Sequence, residues 1–213
     1  MLKYKLKFFL ILLIISWLFI ANSCIIVKEK DEIIVKKSEP ITAKAPKPEV
    51  KMSNKTIRTP EGDMLALLPE NWFFVEANES LSSEIFAVAV NPEYTLSAIF
   101  SKIKKNEENE NIVKKEGLLG LARFCFSKQS QKTANNLNLI EKYEVNDLEY
   151  QKFCTFSYVR EKDNAFGKSA VFISSINNYY EFSLVTLNIS NNLNYDKNEF
   201  DKIYRSFLAT LKY

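Results

Sequence analysis

The stretch KSAVFISSINNYYEFSLVTLN, Lys168 to Asn188, decides the fold. Two apolar runs, Lys168–Ile176 and Tyr179–Asn188, flank Asn177-Asn178. Asparagine tolerates positive φ, so the pair predicts a tight hairpin. In the second run Tyr180, Phe182 and Leu184 alternate with Glu181 and Ser183, the period of a strand covered on one face. Just beyond, Phe200, Ile203, Tyr204, Phe207, Leu208 and Leu211 recur at i, i+3, i+4, i+7, i+8 and i+11, a single apolar stripe on a helix. Asp196 is placed to cap that helix, Glu199 to complete a capping box and Tyr195 to staple against Phe200.

Upstream, more short strands are expected at Met64–Leu68, Trp72–Glu76, Phe86–Val90, Leu96–Lys104, Asn138–Val145 and Glu149–Arg160. Pro69-Glu70-Asn71 and Asn91-Pro92-Glu93-Tyr94 read as turns between them. A first helix is expected from Glu107 to about Gln131. Glu107, Glu108 and Glu110 suit the positive end of its dipole, and its second half is apolar nearly all round. Gly117 and Gly120 weaken such a helix by about 1 kcal/mol each. Close packing on a sheet, or a break, would account for them. Strands in hairpin order with two inserted helices predict an α+β fold, an antiparallel sheet covered by two main helices. About 155 residues bury roughly 70% of their unfolded surface, enough for one core.

The N-terminus has a different character. Lys3, Lys5 and Lys7 precede the apolar core Phe8–Ile20, and Ala21-Asn22-Ser23-Cys24 follows, the pattern of an export signal with a cut site. The ending resembles the lipobox of bacterial lipoproteins, although Ala21 and Asn22 depart from its commonest residues. The resemblance implies a signal peptide at 1–23 and a diacylglyceryl group on the Cys24 thiol, a stable anchor because each buried CH₂ contributes about 0.8 kcal/mol. By the sorting rule of that class, Ile25 after the cysteine points to the outer membrane of a two-membrane cell. The alternatives are an uncleaved membrane helix over Phe8–Val27, near the ~20 residues a bilayer needs, or a plain secretory signal. All three place the remaining chain outside the cytoplasm. Residues 24–58 read as a flexible Lys/Pro-rich stalk, with a reach of roughly 30 Å. Residues 59–213 read as the folded domain.

With the leader lysines set aside, the chain has 26 basic and 26 acidic residues, and residues 61–213 carry a net charge of −4. Without a basic stripe, the domain is not expected to bind nucleic acid. It has no histidine, which excludes Ser-His-Asp and Cys-His catalysis and His-based zinc sites. Four scattered glycines cannot form a phosphate-cradling loop.

The opening GDMLALLPENW (Gly62–Trp72) and the closing YEFSLVTLN (Tyr180–Asn188) with FDKIYRSF (Phe200–Phe207) resemble the PsbP/DcrB-like superfamily over residues 59–213. The resemblance implies an αβα sandwich and a non-catalytic binding or assembly module of the cell envelope, with an envelope protein as partner. Photosynthetic members have a histidine-containing metal site. With no histidine here, no site is carried over, and no metal or cofactor is expected.

The remaining candidates divide between chemistry and packing. Cys125 and Cys154 either form a disulfide closing a loop of about 29 residues, which would stabilise by roughly 3 kcal/mol, or act as buried apolar thiols. Asn192, Asn194, Asp196 and Asn198 alternate like a calcium loop. Lys197 at the sharp-turn glycine position and Ile203 at the closing glutamate position break that pattern. Trp72 is a candidate pocket residue. Of Tyr179 and Tyr180, on opposite sheet faces, one is a candidate exposed interface ring. Rival functions are a small-molecule carrier, which would show an apolar pocket, and a carboxylate enzyme using, for instance, Glu70 and Glu93.

Overall fold

The computed structural model describes residues 34–36, 46–75, 82–148, 150–187 and 196–213. Cys24, Tyr195, Asn192 and Asn194 lie outside the described residues. The elements in chain order are β1 (Ile34–Lys36), β2 (Met52–Arg58), β3 (Leu65–Pro69), β4 (Phe73–Phe74), β5 (Ile85–Val90) and β6 (Leu96–Ile103). Helix α1 (Glu107–Lys132) follows, then β7 (Leu137–Asp147), β8 (Lys152–Arg160), β9 (Ala165–Ile173), β10 (Tyr179–Thr186) and helix α2 (Lys197–Thr210).

Eight strands form one sheet in the order β1-β7-β8-β9-β10-β6-β5-β4, and β2 and β3 form a separate two-stranded sheet. Every pairing is antiparallel except that of β1 with β7, which is parallel. The expected α+β architecture is therefore present, with the large sheet as the middle of three layers. On one face, Phe200, Ile203, Tyr204 and Phe207 of α2 pack with Ile57, Ala66 and Leu68 of the small sheet onto Phe100, Phe182 and Leu184. The aromatic contacts are close: the rings of Phe182 and Tyr204 stack at 5.5 Å between centroids, and Phe207 meets Trp72 edge-on at 5.5 Å. On the other face, Leu118, Leu121, Ala122 and Cys125 of α1 pack onto Tyr143, Cys154, Phe156 and Val171.

Two helix readings have clear physical causes. The α2 stripe is buried as its period requires, and Asp196 caps the helix by accepting from the Asn198 amide at 2.8 Å. Helix α1 breaks at Gly117, where φ 63° and ψ −145° are neither helical nor easily reached by other residues. Beyond the break the chain folds back closely. A Cβ on Gly120 would lie 2.7 Å from Ile112 Cγ2.

Two expectations need correction. The fold begins before residue 59, because residues assigned to the stalk form β2 and pair with β3. Ahead of them, the Glu49 and Val50 amides donate to Ser206 Oγ at 2.8 and 3.0 Å, and Glu49 pairs with Arg205. The stalk reading failed because β2, MSNKTIR, has a mostly polar sequence and inserts only Ile57 fully into the core. The second correction concerns Tyr179 and Tyr180, which do lie on opposite faces but are both buried. Strand β10 is central and covered on both sides, so its alternation does not separate inside from outside. Of the two readings of Cys125 and Cys154, the structure has the buried thiols: both lie in one apolar cluster and neither is bridged. Burial raises Cys154 to about 12 and Cys125 well above the usual thiol range, so neither is a ready thiolate.

Candidate functional site

The α1 face of β10 carries Tyr179, Glu181, Ser183 and Val185. Register sets Ser101 of β6 and Val171 of β9 on either side of Glu181, and Ile99 and Ser169 on either side of Ser183. The last turns of α1 bring Cys125, Lys128, Gln129 and Lys132 over this patch without filling the space. A cavity of about 270 Å³ remains, slightly below the ~300–1,000 Å³ common for ligand pockets. Its walls are largely apolar, including Ile85, Ile99, Ile103, Phe124 and Leu137.

The register also explains how Tyr158 reaches this wall. It lies opposite Gly167, and a Cβ there would come within 2.4 Å of the Tyr158 ring. Glycine at 167 therefore allows the ring to lie across the neighbouring strand.

A polar cluster interrupts the apolar lining. Glu181, only 8% exposed, accepts from Gln129 Nε2 at 2.5 Å and from Ser183 Oγ at 3.4 Å. Ser183 shares a 2.7 Å hydrogen bond with Ser169. Burial pushes the Glu181 carboxyl up to about 7, while the two serine hydroxyls and the charges of Lys132 and Lys128 act against that rise. Gln129 Oε1 is buried and has no hydrogen-bond partner among the described residues. At the rim, every cation already has an acid: Lys102 with Glu61, Lys128 and Lys132 with Glu84, and Arg160 with Asp163. Chemically, the site can hold a proton near neutral pH and receive hydrogen-bond donors. The partners of Glu181, an amide and hydroxyls, add no second group titrating in that range.

Most sequence candidates lie elsewhere. Cys125 lines the cavity, but Cys154 does not. Trp72 is buried in the α2-side core. Glu70 pairs with Lys51, and Glu93 accepts from Asn91 within its own turn at 2.9 Å. No group of three or more His, Cys, Asp or Glu residues among the described ones could hold a metal ion. Glu181 is hidden in the sequence because its alternation with Tyr180 and Phe182 is also the pattern of a strand's solvent side. A charged residue between the aromatic Tyr180 and Phe182, in a strand with other strands on both sides, is the signal that could have found it.

A second polar cluster ties the α2-side layer to the sheet. Asp63, just before β3, accepts from Thr59 Oγ1 (2.8 Å), Ser174 Oγ (2.5 Å), Asn178 Nδ2 (3.0 Å) and Tyr180 OH (2.7 Å). Burial opposes ionisation, but the four donors prevail and hold the carboxyl at about 2. With all four donors from the protein itself, this cluster is a clamp and not a ligand site.

Against known proteins, the fold is similar to that of cyanobacterial PsbP from Synechocystis sp. PCC 6803, with a TM-score of 0.51 and 15% identity. The match covers 83% of this chain and 98% of that one. The domain thus has a PsbP-like fold. A protein of known structure from Bacteroides thetaiotaomicron is a more distant match, with a TM-score of 0.34 at 14% identity, covering 74% of this chain and 47% of that one. No protein family and no curated protein matches the sequence.

Proposed function

We propose that this chain is a non-catalytic, membrane-tethered binding module of the cell envelope, with a small-molecule ligand in the cavity beneath α1. The observation carrying the reading is a polar cluster with an unmet acceptor, built into an apolar cavity that packing alone would have filled with side chains. The PsbP-like fold supports a binding role, and the leader ending at Cys24 supports the tether. No helix among the described residues is long and apolar enough to cross a membrane.

Native mass spectrometry of the full chain, expressed with its leader and released from detergent, tests both parts. A small molecule retained by the protein and lost from Val185→Trp, which obstructs the cavity wall, is the expected result. An empty wild-type protein that takes up nothing from an envelope extract would overturn the binding reading. Cys24→Ser should abolish the lipid mass and membrane retention, and unchanged retention would refute the lipid tether.

One observation favours a protein partner as a second reading. Among the described residues, β1 pairs only with Glu144–Asn146 of its neighbour β7, and Ile140 farther along β7 is 50% exposed. An added strand from a partner would pair there. A pull-down from solubilised envelope that recovers no partner above background would count against it.

A further inference from the structure

The cavity's hydrogen-bonding pattern narrows its ligand class. This step rests on the binding reading above. At the polar end the Glu181 carboxyl and the Ser183 oxygen line the cavity as acceptors, and beside them Gln129 Oε1 is buried without a hydrogen-bond partner among the described residues. Gln129 already uses its amide N–H toward Glu181. A carboxylate or phosphate placed there would face another carboxyl. The rim provides no compensating anion site, because Lys102, Lys128, Lys132 and Arg160 are engaged by Glu61, Glu84 and Asp163. A primary ammonium has three donors and one positive charge. It can donate to the Glu181 carboxylate while neutralising it, with Ser183 Oγ and the unpartnered Gln129 Oε1 as neighbouring acceptors for its remaining donors.

The walls define the rest of the molecule. Ile99, Ile103, Phe124 and Leu137 offer an apolar sleeve, and Tyr158 adds an aromatic surface compatible with a cation. A cavity of about 270 Å³ lies at the small end of ligand pockets and suits a compact organic body. We propose that the cavity beneath α1 binds a small primary amine with a compact apolar body, its ammonium held between Glu181 and Gln129.

Benzylamine, benzyl alcohol and benzoate share one ring and differ at the head group, so they are suitable probes. Each is titrated into the full chain in detergent by calorimetry, with thermal shift as a second readout. Benzylamine should bind most tightly. Glu181→Gln, which keeps the shape and removes the charge, should weaken benzylamine by about tenfold to a hundredfold, the range of a lost charge-assisted hydrogen bond, and leave benzyl alcohol nearly unchanged. Gln129→Met, which removes the open acceptor and leaves Glu181 in place, should weaken benzylamine several-fold, so the proposal does not depend on one variant folding. Tighter binding of benzoate or benzyl alcohol, or equal benzylamine affinity in Glu181→Gln, would overturn the ammonium assignment and leave the cavity as a binding site. Failure of all three probes at millimolar concentration would overturn the amine assignment, and an empty cavity in the mass-spectrometric test would then remove the binding reading as well.

Discussion

Glu181 opposes folding at neutral pH. Its carboxyl is displaced from 4.5 to about 7 by burial, so between those values the folded chain holds a proton that the unfolded chain has released. At 1.36 kcal/mol per unit, the full penalty above pH 7 is on the order of 3 kcal/mol. Glu181→Gln should therefore raise the urea midpoint at pH 7.5 and leave it nearly unchanged at pH 4.5. A variant less stable at both pH values would mean that the carboxyl contributes more through its hydrogen bonds than it loses by desolvation. Tyr204 is a second such position, deep in the α2-side core with its hydroxyl buried and without a hydrogen-bond partner among the described residues. Tyr204→Phe removes that polar atom and keeps the stack on Phe182, so it should stabilise by about 1 kcal/mol in denaturant melts.

At the scale of elements, stability depends on how the first described residues after Pro46 dock on the last helix. Ser206 Oγ receives two backbone amides, from Glu49 and Val50, and donates to the Lys202 carbonyl at 2.7 Å. Ser206→Ala leaves both amides without their acceptor and should cost about 1–3 kcal/mol, with faster amide exchange confined to residues 46–58 as the distinguishing sign. Gly117→Ala forces a methyl-bearing residue to φ 63° at the break in α1 and should destabilise by about 1–2 kcal/mol, although the added methyl meets no neighbour within 4 Å. These elements were legible in the sequence to different degrees. Helix α2 could be read because one amphipathic stripe meets one core. The hairpin at Asn177 could be read because its φ of 65° suits asparagine. Strand β2 could not, since its polar residues pair with β3 while only Ile57 is fully buried in the core. The cavity was hidden for a related reason. Its polar end combines Gln129 of α1 with Glu181, 52 residues away, and no local pattern in the sequence links them.

For the molecule as a whole, the carboxyl clusters of Asp63 and Glu181 work in opposite pH ranges on opposite faces of the sheet. Asp63 is held at about 2, below its ordinary 3.8, so its clamp contributes fully above pH 4 and is lost as pH falls through 2, an effect on the order of 2 kcal/mol. Glu84 and Asp163, also lowered by their lysine and arginine partners, act in the same acid-side direction. Glu181 acts the other way: its penalty is absent below 4.5, grows through the interval and is complete above 7. Stability should therefore peak near pH 5 and decline toward neutrality, whereas a fold governed only by paired surface carboxylates would stay level there. Urea melts from pH 2.5 to 8 on three proteins separate the contributions. Wild type should show the peak, Glu181→Gln should level the neutral side, and Asp63→Asn should lower the curve above pH 4 and flatten the acid side. A Glu181→Gln profile that still falls between pH 5 and 7 would show that the neutral-side loss arises elsewhere. An ammonium ligand in the cavity stabilises the ionised carboxylate, so adding benzylamine should restore stability to the wild type on the neutral side and do much less for Glu181→Gln, which binds it more weakly.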